Sequence, residues 1–147
     1  MEGKYRDGLI HMMGHIMKLH RHNVHIVIQD DVYPGQPPLL TRLLEHDGLS
    51  QKELAMKMNV KPATLTVMIN RMAKNGLVER RSDPADQRVS RVYLTESGRK
   101  AAVDVKEAVE RLEERSFSRF SEEEKAVFRH MLQRIHEEQE AFRRENS

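Results

Sequence analysis

Three residues separate two short helices in the middle of the chain, and that brevity constrains the segment more than any other feature. Ser50 followed by Glu53 is a capping box, in which hydroxyl and carboxylate satisfy each other's first-turn backbone donors, so a helix is expected from Gln51 to about Met58. Asn59, Val60 and Lys61 form the turn. Pro62 suits a first helical position, where its missing N–H costs nothing, and the second helix runs on to Asn75 and Gly76. Within it Leu65, Met68, Ile69 and Met72 fall inside an arc of about 100°, which makes them the buried stripe. Leu54 and Ala55 of the first helix face inward and brace it.

The remainder of the chain is mostly helical by the same reasoning. From about Lys4 to Ile28 there is no proline, and Leu9, Met13, Ile16, Met17, Val24 and Val27 cover a broad apolar face. A loop rich in breakers, "DDVYPGQPP", precedes a helix that starts at Pro37 or Pro38, carries Leu39, Leu40, Leu43 and Leu44, and stops at "HDG". After Gly76, "LVERR" and "RVSRVYL" read as two short strands, since Val78, Val89, Val92, Tyr93 and Leu94 favour a pleated surface. Ser82, Asp83, Pro84, Ala85 and Asp86 supply the turn between them. Thr95 can cap a long helix from Glu96 to about Arg119, with Ala102, Val105, Val109 and Leu112 at spacings of three, four and three. A second capping box, Ser121 and Glu124, opens the last helix, with Val127, Phe128, Met131, Leu132, Ile135 and Phe142 along one side. No internal repeat or low-complexity segment interrupts this order.

Charge distribution gives the central segment its chemical character. The net charge is only +2. Cut in three, however, residues 50–100 carry 11 Lys and Arg against 5 Asp and Glu, a net of +6, while the counts are 5 against 6 before that segment and 9 against 12 after it. A basic centre between acidic ends is the footprint of a surface that meets phosphates. The exposed side of the second helix, with Lys61 at its entry and Ala63, Thr64, Thr66, Val67, Asn70, Arg71 and Lys74 along it, has small or polar groups first and cations further on. That order suits a helix entering a DNA major groove end-first, the threonine hydroxyls donating to phosphates or base edges and Val67 meeting a thymine methyl. The hairpin that follows brings Arg80, Arg81, Arg88 and Arg91 beside it.

With those residues in view, the stretch Gly48 to Arg99, "GLSQKELAMKMNVKPATLTVMINRMAKNGLVERRSDPADQRVSRVYLTESGR", resembles the winged helix-turn-helix of the MarR (multiple antibiotic resistance regulator) family of bacterial transcription regulators. The most specific match is Asp86-x-Arg88 followed by Leu94-Thr95 and Gly98, joined to "NGLVERR". The resemblance implies a mostly α fold with a small β-hairpin wing, residues 36–95 forming the DNA-binding lobe and residues 1–30 with 96–147 a helical dimerisation region. It implies a homodimer on double-stranded, pseudo-palindromic operator DNA in the bacterial cytoplasm, controlled by a small aromatic or anionic effector. It also assigns Arg88 to the minor groove, where a narrow groove concentrates negative potential, and gives Asp86 the task of orienting the wing arginines. The family often has a basic residue where this chain has Val67. For the effector pocket the candidates are Met13, Met17 and His20.

Other functions find less support in the residues. His11, His15, His22 and His25 lie within about 80° on the first helix and could share a zinc ion, which would make a metal-responsive regulator. Lys18 sits in the middle of that stripe and no carboxylate joins it, so no metal site and no cofactor is assigned. A winged helix that docks protein instead of DNA is the other alternative. Catalysis lacks a phosphate loop, a nucleophile elbow and, with no cysteine in the chain, a thiol nucleophile, so an enzyme is not expected. The absence of cysteine also removes disulfides and thiol switching, and with no long apolar run or leader-like start the chain reads as soluble and intracellular, without a membrane partner.

Overall fold

The computed structural model describes residues 8–28 and 36–147. The expected loop at "DDVYPGQPP" therefore lies mostly outside the described residues, as does the start of the first helix. Among the described residues the elements run in the order α1 (Leu9–Ile28), α2 (Gln36–Glu45), β1 (Leu49–Ser50), α3 (Gln51–Met58), α4 (Pro62–Lys74), β2 (Val78–Ser82), β3 (Ser90–Leu94), α5 (Glu96–Ser116) and α6 (Glu122–Glu145). The chain packs as two compact units, residues 1–112 and 113–147.

In the first unit the core is built where the helix pair meets its neighbours. Leu39, Leu40 and Leu43 of α2, Leu54 and Ala55 of α3, and Leu65, Ile69 and Met72 of α4 are buried together with Val78, Val92 and Leu94 of the sheet and Ala102 and Val105 of α5. Each expected member of the α4 stripe faces this core, Met68 packing against it half-buried. Both capping interactions at α3 form: the Glu53 amide donates to Ser50 Oγ at 3.1 Å and the Ser50 amide to Glu53 Oε2 at 2.9 Å. These bonds, led by the Ser50 backbone N–H and helped by the charge of Arg91, hold the Glu53 carboxyl below its ordinary range. Asn59 closes α3 in the left-handed region at φ 52°, a conformation asparagine tolerates better than most residues, and so turns the chain toward Pro62.

The sheet has strand order β1-β3-β2, antiparallel throughout. The hairpin pairs Val78 with Leu94 through Ser82 with Ser90. Sequence patterning missed β1, whose two residues pair with Val92 and Arg91 and tie the entrance of α3 to the wing. Asp47 reinforces that tie by accepting from the Leu94 amide at 2.9 Å and from Arg99 at 3.1 Å. Thr95 caps α5 as expected, its Oγ1 accepting from the Gly98 amide at 3.0 Å while donating to the Gly76 carbonyl. Gly98 is buried, and a Cβ at that position would stand 1.8 Å from the Leu77 carbonyl oxygen, so α5 can lie this close to the end of α4 only because the residue is glycine.

Helix α5 ends at Ser116, three residues before the expected Arg119, and Phe117 turns back to meet Phe120 edge-on at 5.4 Å and Phe128 at 5.9 Å. This aromatic group lies at the start of the second unit. Ser121 and Glu124 form their capping box at 3.0 and 3.1 Å. No residue of α6 is buried, and Val127, Phe128, Met131, Leu132 and Phe142 are exposed. In the first unit α1 likewise buries only Val24, leaving Leu9, Ile16 and Met17 about half exposed or more.

Candidate nucleic-acid interface

Helix α4 presents the polar side expected of it. Lys61, Ala63, Thr64, Thr66, Val67, Asn70, Arg71 and Lys74 are all exposed, opposite the buried Leu65, Ile69 and Met72. Lys61 occupies the N-cap position without a side-chain capping bond, and Pro62 is the first helical residue. The first-turn N–H groups therefore point toward whatever anion approaches, and they carry the positive end of the helix dipole.

The hairpin arginines are dealt different tasks by their neighbours. Arg80 reaches back to the helix pair, its Nε donating to Gln51 Oε1 at 2.9 Å and its Nη2 to Asn70 Oδ1 at 2.6 Å. Arg81 points the other way, as strand alternation requires, stacking on the Tyr93 ring at 4.5 Å and pairing with Glu79. Arg91 joins three segments: Nε donates to Asp83 Oδ2 at 2.7 Å, Nη1 donates to the Gly48 carbonyl at 3.0 Å, and Glu53 lies 3.8 Å away. Arg88 sets its guanidinium on both Asp86 oxygens, Nε donating to Oδ1 at 3.1 Å and Nη2 to Oδ2 at 3.2 Å. Its side chain is nonetheless 90% exposed, against 32% for Arg91, so the Asp86–Arg88 pair stands in solvent while Arg91 is partly covered.

Two aspartates give the wing tip its shape. Asp83 accepts from the Ala85 amide at 2.7 Å and Asp86 from the Arg88 amide at 3.1 Å, each closing a turn through its own side chain. Backbone donation from Ala85 and then the Arg91 guanidinium hold the Asp83 carboxyl below its usual range; for Asp86 the Arg88 side chain leads and the Arg88 amide follows. Gln51 and Asp83, which position Arg80 and Arg91, were not among the expected site residues. Their signal is partnership across elements, which no local pattern carries.

A winged helix-turn-helix with this wing can be compared with known proteins. The sequence model of the MarR family matches residues 33–90. The uncharacterized HTH-type transcriptional regulator YsmB of Bacillus subtilis (strain 168) is 35% identical over 113 residues, 77% of each chain. The chain belongs to the MarR family of transcription regulators. Among solved structures it is similar to a MarR protein from Peptoclostridium difficile, with a TM-score of 0.82 and 26% identity over 94% of this chain and 92% of the other. It is also similar to Staphylococcus aureus MepR in a complex with DNA, with a TM-score of 0.77 and 26% identity over 88% and 94%. The MarR-family fold is thus shared over nearly the whole chain, and its members here are regulators of transcription, as the residues had indicated, not enzymes.

Within the first unit of this MarR-family chain a cavity of about 850 Å³ opens between α1, α2, α3 and α5. Its lining mixes apolar side chains, among them Met17, Val24, Met58, Val105 and Val109, with Lys18, Arg21, Arg42, Lys57, His20, His22 and His25, against a single carboxylate, Glu45. Of the three pocket candidates it takes in Met17 and His20 and not Met13. The stripe of histidines does not assemble a metal site: among the described residues no group of three or more His, Asp or Glu could hold an ion. No described helix is long and apolar enough to cross a membrane.

Proposed function

We propose that this MarR-family regulator acts as a homodimer that binds a pseudo-palindromic operator in the bacterial cytoplasm, with α4 in the major groove and the wing arginine Arg88 in the adjacent minor groove. The observation that carries the reading is the row of exposed polar and cationic side chains on α4 beside a hairpin whose Asp86–Arg88 pair holds an exposed guanidinium. A relative of the same fold that has been crystallised with DNA supports it. Lys61, Thr64, Arg71 and Lys74 contact phosphates, Ala63, Val67 and Asn70 face base edges, and Arg81 and Arg91 steady the wing; Thr66, expected to donate to phosphate or base, instead gives its hydroxyl hydrogen to the Pro62 carbonyl.

Dimerisation covers the apolar faces that each unit leaves open on α1 and α6, an exposed area of the kind that marks an interface. Two-fold symmetry then sets the two recognition helices about one DNA turn, ~34 Å, apart. The cavity takes the effector, its cationic and apolar lining matching a small aromatic or anionic molecule. Bound effector shifts the population between DNA-competent and incompetent spacings.

Selection of bound fragments from sheared genomic DNA, followed by affinity against salt, tests the reading. A pseudo-palindrome bound at least ~10³-fold more tightly than its scrambled version is expected. Failure to bind any duplex would replace it with the protein-docking alternative. The effector arm is tested with benzoate as a minimal aromatic anion: its affinity for the free protein and for the operator complex must differ, and equal affinities refute the coupling by reciprocity.

A further inference from the structure

A chain of four hydrogen bonds crosses the exposed face of the helix pair. Thr66 Oγ1 donates to the Pro62 carbonyl at 3.0 Å, Gln51 Nε2 donates to Thr66 Oγ1 at 3.4 Å, Arg80 Nε donates to Gln51 Oε1 at 2.9 Å, and Arg80 Nη2 donates to Asn70 Oδ1 at 2.6 Å. The orientation of both amides is dictated by chemistry. A guanidinium has donors and no acceptor, so the atom that Gln51 and Asn70 turn toward Arg80 must be the carbonyl oxygen. Gln51 then spends its amide nitrogen on Thr66, whose hydroxyl hydrogen is already committed to the helix backbone. Nothing in the chain can reverse without stranding a partner.

We infer that Asn70 is a specificity-determining residue that reads DNA as a hydrogen-bond donor, selecting a keto base (guanine or thymine) over an amino base (adenine or cytosine). The inference rests on the reading of α4 as the recognition helix. Asparagine ordinarily recognises adenine bidentately, its oxygen accepting from the 6-amino group and its nitrogen donating to N7. Here one lone pair of the oxygen is taken by a cation at 2.6 Å, and an adenine amino group would have to reach the same atom beside that guanidinium. What the side chain offers unencumbered is its NH₂ group. In the major groove that group meets two acceptors at guanine, O6 and N7, and one at thymine O4; adenine offers N7 alone beside a competing amino donor, and cytosine offers only a donor. Arg80, a residue of the wing strand β2, thereby sets the base preference of a residue on α4 without touching the base itself.

The test is site selection from a randomised duplex library with the wild type, Asn70→Ala, Asn70→Asp and Arg80→Met, each variant first shown by its melting curve to be folded; the residues concerned are exposed, so no core is opened. Expected is one position per half-site at which the wild type prefers a keto base by about tenfold, the lower end of what a good base contact discriminates. Asn70→Ala should flatten that position alone, Asn70→Asp should reverse it toward amino bases because a carboxylate only accepts, and Arg80→Met should shift it toward adenine by freeing the Asn70 oxygen. Wild-type adenine at the Asn70-dependent position, or preferences untouched by Asn70→Ala or Arg80→Met, would overturn the inference while leaving the regulator intact. A wild type that selects no sequence would remove the DNA-binding reading and this inference with it.

Discussion

Replacing Gly98 by alanine should destabilise the protein, against the usual sign for a helical glycine. In an open helix the change gains about 0.5–1 kcal/mol, because alanine loses less backbone entropy on folding. At Gly98 the new methyl would lie 1.8 Å from the Leu77 oxygen and 2.8 Å from its carbonyl carbon, so the two segments must part by about 1.5 Å to reach a tolerable carbon–oxygen contact of ~3.3 Å. Leu77 has no freedom to retreat cheaply: its amide donates to the Met72 carbonyl at 2.9 Å and its oxygen accepts from the Thr95 amide at 3.0 Å. Overpacking costs about 1–3 kcal/mol and a lost backbone hydrogen bond about 1 more. Less the helix-propensity gain, a loss of about 1–3.5 kcal/mol remains, which for a chain of this size lowers the melting temperature by roughly 3–12 °C. Circular dichroism melts at one protein concentration measure it, with Gly14→Ala in α1 as the control, since a Cβ there meets nothing within 4 Å. Gly14→Ala should melt slightly above the wild type and Gly98→Ala well below it. A Gly98→Ala protein that melts at or above wild type would refute the account of how α5 seats against the winged helix.

Other consequences follow from the wing. Arg88→Ala should weaken operator binding tenfold or more at fixed salt, since each protomer of the dimer loses one groove contact; unchanged affinity in a fluorescence-anisotropy titration would remove Arg88 from the interface. Arg91→Met should speed amide exchange in the wing while leaving the buried amides of α4 protected, because Arg91 ties the hairpin to Gly48 and Asp83; equal exchange rates would show that the tie is idle. Asp83 supplies a pH dependence of definite sign. Its folded-state pKa is depressed, first by the Ala85 amide and then by Arg91, so the stability it contributes is fully present above the unfolded carboxylate value near 4 and is lost as pH falls through the lower folded value. The urea midpoint of the wild type should therefore exceed that of Asp83→Asn by a constant amount from pH 7 to about 5, the gap closing below about 4. Parallel curves down to pH 3 would contradict this.

What was legible in the sequence was what short-range chemistry decides. Ser50 with Glu53, Ser121 with Glu124, and Pro62 at a first helical position place three helix starts because each acts within one turn, and the structure puts them there. The stripe of Leu65, Ile69 and Met72 was readable for a similar reason, since only one side of a short helix can face the core. Strand β1 was not readable: two residues cannot alternate, and their pairing is supplied by Val92 and Arg91 some forty positions later. The periodic face of α1 illustrates the opposite failure, being visible in the sequence yet covered within the first unit only at Val24. The hairpin arginines bring both limits together. Their number and their closeness to α4 are sequence facts, and they suffice for the expectation of a basic wing. Their division of labour depends on which acceptor each one reaches: Asp86 two residues away for Arg88, Asp83 eight away for Arg91, and for Arg80 the amides of Gln51 and Asn70 on two different helices. Local turn chemistry makes the first pairing foreseeable, while the last exists only after the helix pair and sheet have packed. The residues that tune recognition in such a domain are thus expected among the cross-element partners of its arginines, and a count of exposed cations alone would pass over Gln51.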